Sequence, residues 1–157
     1  MAKLEKQLKK RKPFESVEAA VVVSVLRTNE LFQHRFGQLF REYELNQPQY
    51  NILRILYGEG KRLPSLEIAS RMITVCPAIT GLVDKLEKKG LVERERGEDD
   101  RRVWFVKLTK AGEGLIEKMQ EPNSAMHKQL VGHLTSKEAE QLLELLEKAR
   151  ESIENGA

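Results

Sequence analysis

Lysines and arginines at close spacing, one cysteine and three histidines are the side chains of this sequence with chemistry to offer. The histidines do little with it: His34, His127 and His133 have no nucleophile or paired carboxylate at a telling spacing, and no glycine-rich phosphate loop occurs. No grouping of Cys and His has zinc spacing, so no metal or other cofactor is implied and an enzyme is not expected. Cys76 stands alone and cannot close an internal disulfide. At the start of a helix its thiol would feel the positive end of the helix dipole, which raises reactivity and would suit an oxidant sensor.

The cations are arranged more tellingly. From Cys76 or Pro77 to Lys89, the residues Ile79, Leu82, Val83 and Leu86 recur at helical spacing on one side. The opposite side carries Pro77, Ala78, Thr80, Gly81, Asp84, Lys85 and Lys88. Such a helix has an apolar back to anchor it and a front of small, polar and basic groups that can approach the major groove of duplex DNA. Pro77, Ala78 and Thr80 are expected near bases, and Lys85 and Lys88 near phosphates. Asp84 reads as a solvated residue. Further on, residues 97–102 form a charged turn in which Arg102, next to Arg101, is suited to the minor groove, with the Asp100 carboxylate holding its guanidinium. Arg94 and Arg96 are expected at phosphates.

Positioning these groups requires a scaffold, and the hydrophobic periodicity supplies one. Residues 15–44 read as one long helix, because Val17, Val21, Val25, Phe32, Phe36 and Leu39 recur at steps of three, four and seven; the Lys-rich start before Pro13 reads as a loose lead-in. Asn46 to Gln49 has capping-box spacing with Pro48 in the first turn, and Gly58 and Gly60 stop the helix that follows. Pro64 and Ser65 open a short helix with Leu66, Ile68, Ala69 and Met72 inward. After Gly90 the pattern alternates, predicting a two-stranded hairpin from Leu91–Arg96 and Val103–Leu108. Thr109 caps a helix running to about His133, in which Pro122 predicts a kink or interruption, and Thr135 to Glu138 is a second capping box.

These elements predict a mainly α fold with a small two- or three-stranded antiparallel β wing. The winged helix-turn-helix occupies residues 45–109, between an N-terminal segment (1–44) and C-terminal helices (110–157) in one intertwined domain. Val22, Leu26 and Leu31 lie off the main stripe of the first long helix, and Leu142, Leu146 and Ile153 give the last helix an apolar face. Two helical ends with more apolar surface than 157 residues can bury are expected to pair with a second copy.

Composition agrees with one domain carrying a polyanion-binding middle. The net charge is only +3, but residues 1–13 hold six Lys/Arg and one acid, and residues 61–110 hold twelve Lys/Arg and eight acids. Residues 111–157 hold five Lys/Arg and nine acids. Such asymmetry points to a polyanion partner for the middle of the chain. The longest apolar stretch, Ala19 to Leu26, is far short of the roughly 20 residues that cross a bilayer. With no secretory signal pattern at the N-terminus, the expected location is the cytoplasm, with no membrane partner.

The run ITGLVDKLEKKGLVERERGEDDRRVWFVKLTKAG at residues 79–112, together with LNQPQYNIL at 45–53 and LEIASRM at 66–72, resembles the MarR family of bacterial transcriptional regulators. The resemblance implies a homodimer with intertwined terminal helices and two winged modules on a pseudo-palindromic operator. It also implies repression relieved by a small, often aromatic or phenolic, effector or by an oxidant. Gly81 stands where the family frequently has Arg, so specificity would come from other groups or from DNA shape. The family fixes no effector site by a motif; His34, Arg54 and Tyr57 are candidates only as neighbours of the junction between the long helix and the winged module, with a structural role as the competing reading of each. The competing reading is a winged-helix protein-interaction module without specific DNA readout.

Overall fold

The lysine-rich start is more ordered than a loose lead-in. Ala2–Gln7 forms helix α1, and the Glu5 carboxylate accepts a hydrogen bond from the Phe14 backbone N–H at 3.0 Å. The Lys10 ammonium lies 4.6 Å from the centre of the Phe14 ring, so the segment folds back on itself. Helix α2, Val17–Glu42, begins where the Ser16 hydroxyl accepts from the Ala19 N–H at 3.1 Å. Ala20 near its start and Leu39 and Phe40 near its end are buried, and Phe40 stacks on Tyr50 at 4.4 Å. Val17, Val21, Val22, Val25, Leu26 and Leu31 are exposed in the single chain.

The described residues are 2–74, 79–97 and 101–154 of a computed structural model. They fall into two compact units, Met1–Glu113 and Gly114–Ala157. In the first unit, helix α3 (Gln47–Glu59) starts at the reciprocal Asn46–Gln49 cap and ends at Gly60, whose φ of 68° is the left-handed turn that glycine adopts without strain. Strand β1 (Leu63–Pro64), helix α4 (Ser65–Ser70), helix α5 (Ile79–Lys88) and strands β2 (Val92–Arg96) and β3 (Trp104–Leu108) follow. The sheet has the antiparallel order β1-β3-β2, with Leu63 opposite Val106 and Arg96 opposite Trp104. Two residues of β1 thus enlarge the expected hairpin to three strands.

Ile52, Leu53, Leu56, Ile68, Val83, Leu86, Val92 and Val106 form the centre of this unit. Leu66 departs from its expected inward position and is 82% exposed. At about 100° per residue it lies on nearly the opposite side of α4 from Ile68, the residue that docks. Helix α6, Lys110–Val131, begins in the first unit and continues into the second. The Thr109 hydroxyl accepts from Gly112 N–H at 3.1 Å and donates to the Gly90 carbonyl at 2.6 Å. Pro122 does not interrupt α6; proline removes one backbone donor, and the rest of the ladder carries the helix through.

In the second unit, Thr135 and Glu138 form the expected box, which starts helix α7, Ser136–Glu154. Leu142, Leu143, Leu145 and Ile153 are exposed on it, and Leu146 is half-buried. No helix among the described residues is long and apolar enough to cross a membrane.

Candidate nucleic-acid interface

Helix α5 is anchored by burial of Ile79, Val83 and Leu86, and Gly90, at φ 69°, turns the chain into β2. That packing leaves Thr80, Gly81, Lys85 and Lys88 exposed on the side away from the core. An added Cβ on Gly81 would meet nothing within 4 Å, so this face is open at its centre.

The wing is held to α5 by charge. Arg94 on β2 donates from Nε to Glu87 Oε2 at 3.0 Å, a second guanidinium nitrogen reaches the same oxygen at 2.6 Å, and a third reaches Asp84 Oδ1 at 2.7 Å. The Arg94 backbone N–H also donates to Glu87 Oε1 at 3.2 Å. This guanidinium holds the Glu87 carboxyl below its ordinary pKa, and Glu87 in turn raises that of Arg94. On β3, Trp104 lies under two guanidinium groups, with Arg96 4.9 Å and Arg94 5.7 Å from its ring centre. The Ser65 hydroxyl donates to the Trp104 carbonyl at 3.2 Å, tying the start of α4 to the wing.

The other face of the sheet is a separate ion-pair ladder. Arg62 pairs with Glu95 at 3.0 Å, and Lys107 pairs with both Glu95 and Glu93. Lys107 first, then Arg62, holds the Glu95 carboxyl low. Between α4, α5 and the wing lies a cleft of about 250 Å³, lined by Leu66, Thr80, Arg94, Arg102, Val103 and Trp104 among others. Thr80 of the helix and Arg102 of the wing thus share one concave surface.

A sequence profile described as MarR family matches residues 45–104. Over 86% of this chain and 98% of the other, the sequence is 34% identical to a MarR transcription factor from Planctomyces limnophilus of known crystal structure, with a TM-score of 0.67. The chain belongs to the MarR family. It is 27% identical to the homoprotocatechuate degradative operon repressor of Escherichia coli over 82% of this chain and 86% of the relative. The fold also matches a mutant Escherichia coli MarR crystallised with operator DNA, at TM-score 0.74 and 24% identity over 83% of this chain and 93% of that one. As a MarR-family winged-helix protein, the chain is a DNA-binding transcriptional regulator and not an enzyme.

Within this MarR fold the expected interface residues separate into groups. Thr80, Gly81, Lys85, Lys88, Arg96, Arg101 and Arg102 are exposed, and Thr80 and Arg102 both line the cleft. Arg94, expected at phosphates, spends its guanidinium on Asp84 and Glu87, because strand alternation aims it at α5. Asp84, expected to be solvated, is its partner. Cys76, Pro77, Ala78 and Asp100 lie outside the described residues, and with them the Asp100–Arg102 pairing.

The three residues suggested for an effector lie on two helices, His34 on α2 and Arg54 and Tyr57 on α3. His34 is exposed on α2; Arg54 lines a cleft with Asn51, Arg71 and Ile73; Tyr57 lines another with Arg62 and Lys107. Arg71 in the former cleft is itself held by Glu59, at 2.7 Å, and by Glu67. Trp104 and Glu87, which join the wing to α5, are not among the residues the sequence reading singled out. The available signal for Glu87 was its three-residue step from Asp84, which puts two carboxylates on the side of α5 that an inward residue of the next strand must meet.

Proposed function

We propose that this chain is a homodimeric repressor that reads a pseudo-palindromic operator with α5 in the major groove and the wing beside it. The observation that carries this reading is the exposed Thr80–Gly81–Lys85–Lys88 face of α5, locked through Arg94 to a wing that carries Arg96, Arg101 and Arg102. Thr80, with Pro77 and Ala78 before it, meets base edges; Lys85, Lys88 and Arg96 meet phosphates; Arg102 enters the minor groove. Residues 1–44 and 110–157 supply the dimer contacts. Exposed Val22, Leu26 and Leu31 on α2 and Leu142 and Ile153 on α7, with half-buried Leu146, support that pairing.

The repressor role draws on the name of the Escherichia coli relative, and release by a small aromatic or phenolic effector belongs to the same reading. A mobility shift on the DNA upstream of the chain's own gene, across salt concentrations and with excess random duplex, tests the proposal. A specific, salt-steep shift is expected, with log affinity falling by about 0.9 per phosphate contact for each tenfold rise in salt. Arg102→Ala weakens binding on every operator variant, whereas Thr80→Ala changes preference among operators more than total affinity. A salt-insensitive shift, or none that survives competitor, rejects operator binding in favour of a protein-interaction module.

A further inference from the structure

We infer that Trp104 is a positioning residue for DNA binding, which holds the Arg96 guanidinium at a fixed place relative to α5 for capture of a backbone phosphate. The inference rests on the operator reading above and adds to it a residue that touches no phosphate in this scheme.

Four observations lead to it. Arg96 and Trp104 are directly opposed in the β2–β3 register, and the guanidinium lies 4.9 Å from the indole centre, within cation–π range. The indole is itself propped from its other neighbour on β2, since Arg94 lies 5.7 Å from the same ring and is fixed by Asp84 and Glu87 of α5. The Ser65 hydroxyl donates to the Trp104 backbone carbonyl, which ties this end of β3 to the start of α4. Finally, the two carboxylates of β2, Glu95 and Glu93, face the other side of the sheet and are taken by Lys107 and Arg62. Arg96 forms no ion pair among the described residues, and its guanidinium lies on the Trp104 side of the sheet, the side on which Arg94 reaches α5.

The physical consequence is preorganisation. A free arginine on a strand near a turn must give up rotamer freedom when it binds a phosphate, and stacking on a fixed ring removes part of that cost beforehand. The chain Asp84/Glu87, Arg94, Trp104, Arg96 therefore sets the distance between the helix that reads bases and one cation that reads the backbone.

A double-mutant cycle on the full-length protein tests this, with operator affinity as the readout. Trp104→Leu is expected to weaken binding about two- to fivefold, the worth of an exposed cation–π contact converted at tenfold per 1.4 kcal/mol. Trp104→Phe, which keeps a ring, restores most of the loss. In the Arg96→Ala background, Trp104→Leu costs nothing further, and Arg96→Ala alone lowers the salt slope by about one phosphate. Without DNA, Arg96→Ala shifts the emission of Trp104 to the red, and because the chain has one tryptophan the signal is unambiguous. Thermal melting of each variant separates these effects from misfolding. Additive losses, or a slope unchanged by Arg96→Ala, overturn the inference while leaving operator binding intact; a wild type with no salt-steep specific shift removes the operator reading and the inference together.

Discussion

Arg94 illustrates how a cation on the wing can act as a joint within the protein. Its guanidinium bridges Asp84 and Glu87, so its charge is spent on joining two elements of the reading head. The joint is pH-sensitive in a definite sense. Glu87 has its pKa lowered by Arg94, so its contribution to stability is fully present above the carboxylate's unfolded value of about 4.3 and is lost as pH falls through the lower folded value. Urea unfolding of wild type and Glu87→Gln at a series of pH values checks this: the stability difference is expected to be present near neutrality and to close in acid. A difference that persists unchanged at low pH would show that Glu87 acts through packing alone.

Among the elements, those specified by neighbouring residues were legible and those specified at a distance were not. The boxes at Asn46–Gln49 and Thr135–Glu138 are visible in sequence because both partners lie within one turn. Strand β1 was not, since Leu63 and Pro64 become a strand only by pairing with Val106 and Phe105. The same holds for the site: the exposed face of α5 follows from its own periodicity, whereas the Arg94 joint and the Trp104 stack depend on how a strand registers against a helix and against its neighbour. Gly112 is a further case of distant specification, because a Cβ there would run into the Leu91 carbonyl oxygen and lie 3.0 Å from a Leu108 methyl. Gly112→Ala is therefore expected to cost about 2 kcal/mol and to lower Tm by about 5 °C. Gly114→Ala, where nothing lies within 4 Å, serves as the control and should be neutral or slightly stabilising.

At the scale of the whole molecule, the long helices near both ends of the chain carry exposed apolar side chains. Leu26 is 62% exposed on α2 and Ile153 73% exposed on α7, each within a larger group of exposed aliphatic residues. In the proposed dimer these faces are covered, so Leu26→Glu should yield a folded monomer by sedimentation velocity and lose most operator affinity, because two linked reading heads bind far more tightly than one. A variant that stays dimeric and binds normally would place the subunit contact elsewhere. Helix α6 adds a practical constraint. The division between the two units, after Glu113, falls inside its continuous ladder of hydrogen bonds, with no linker to cut. A chimera grafting this reading head onto another regulator's body should therefore place its seam ahead of Thr109, where a side-chain cap starts the helix afresh. A seam at the apparent border would splice two half-helices and depend on the foreign sequence to continue the same turn.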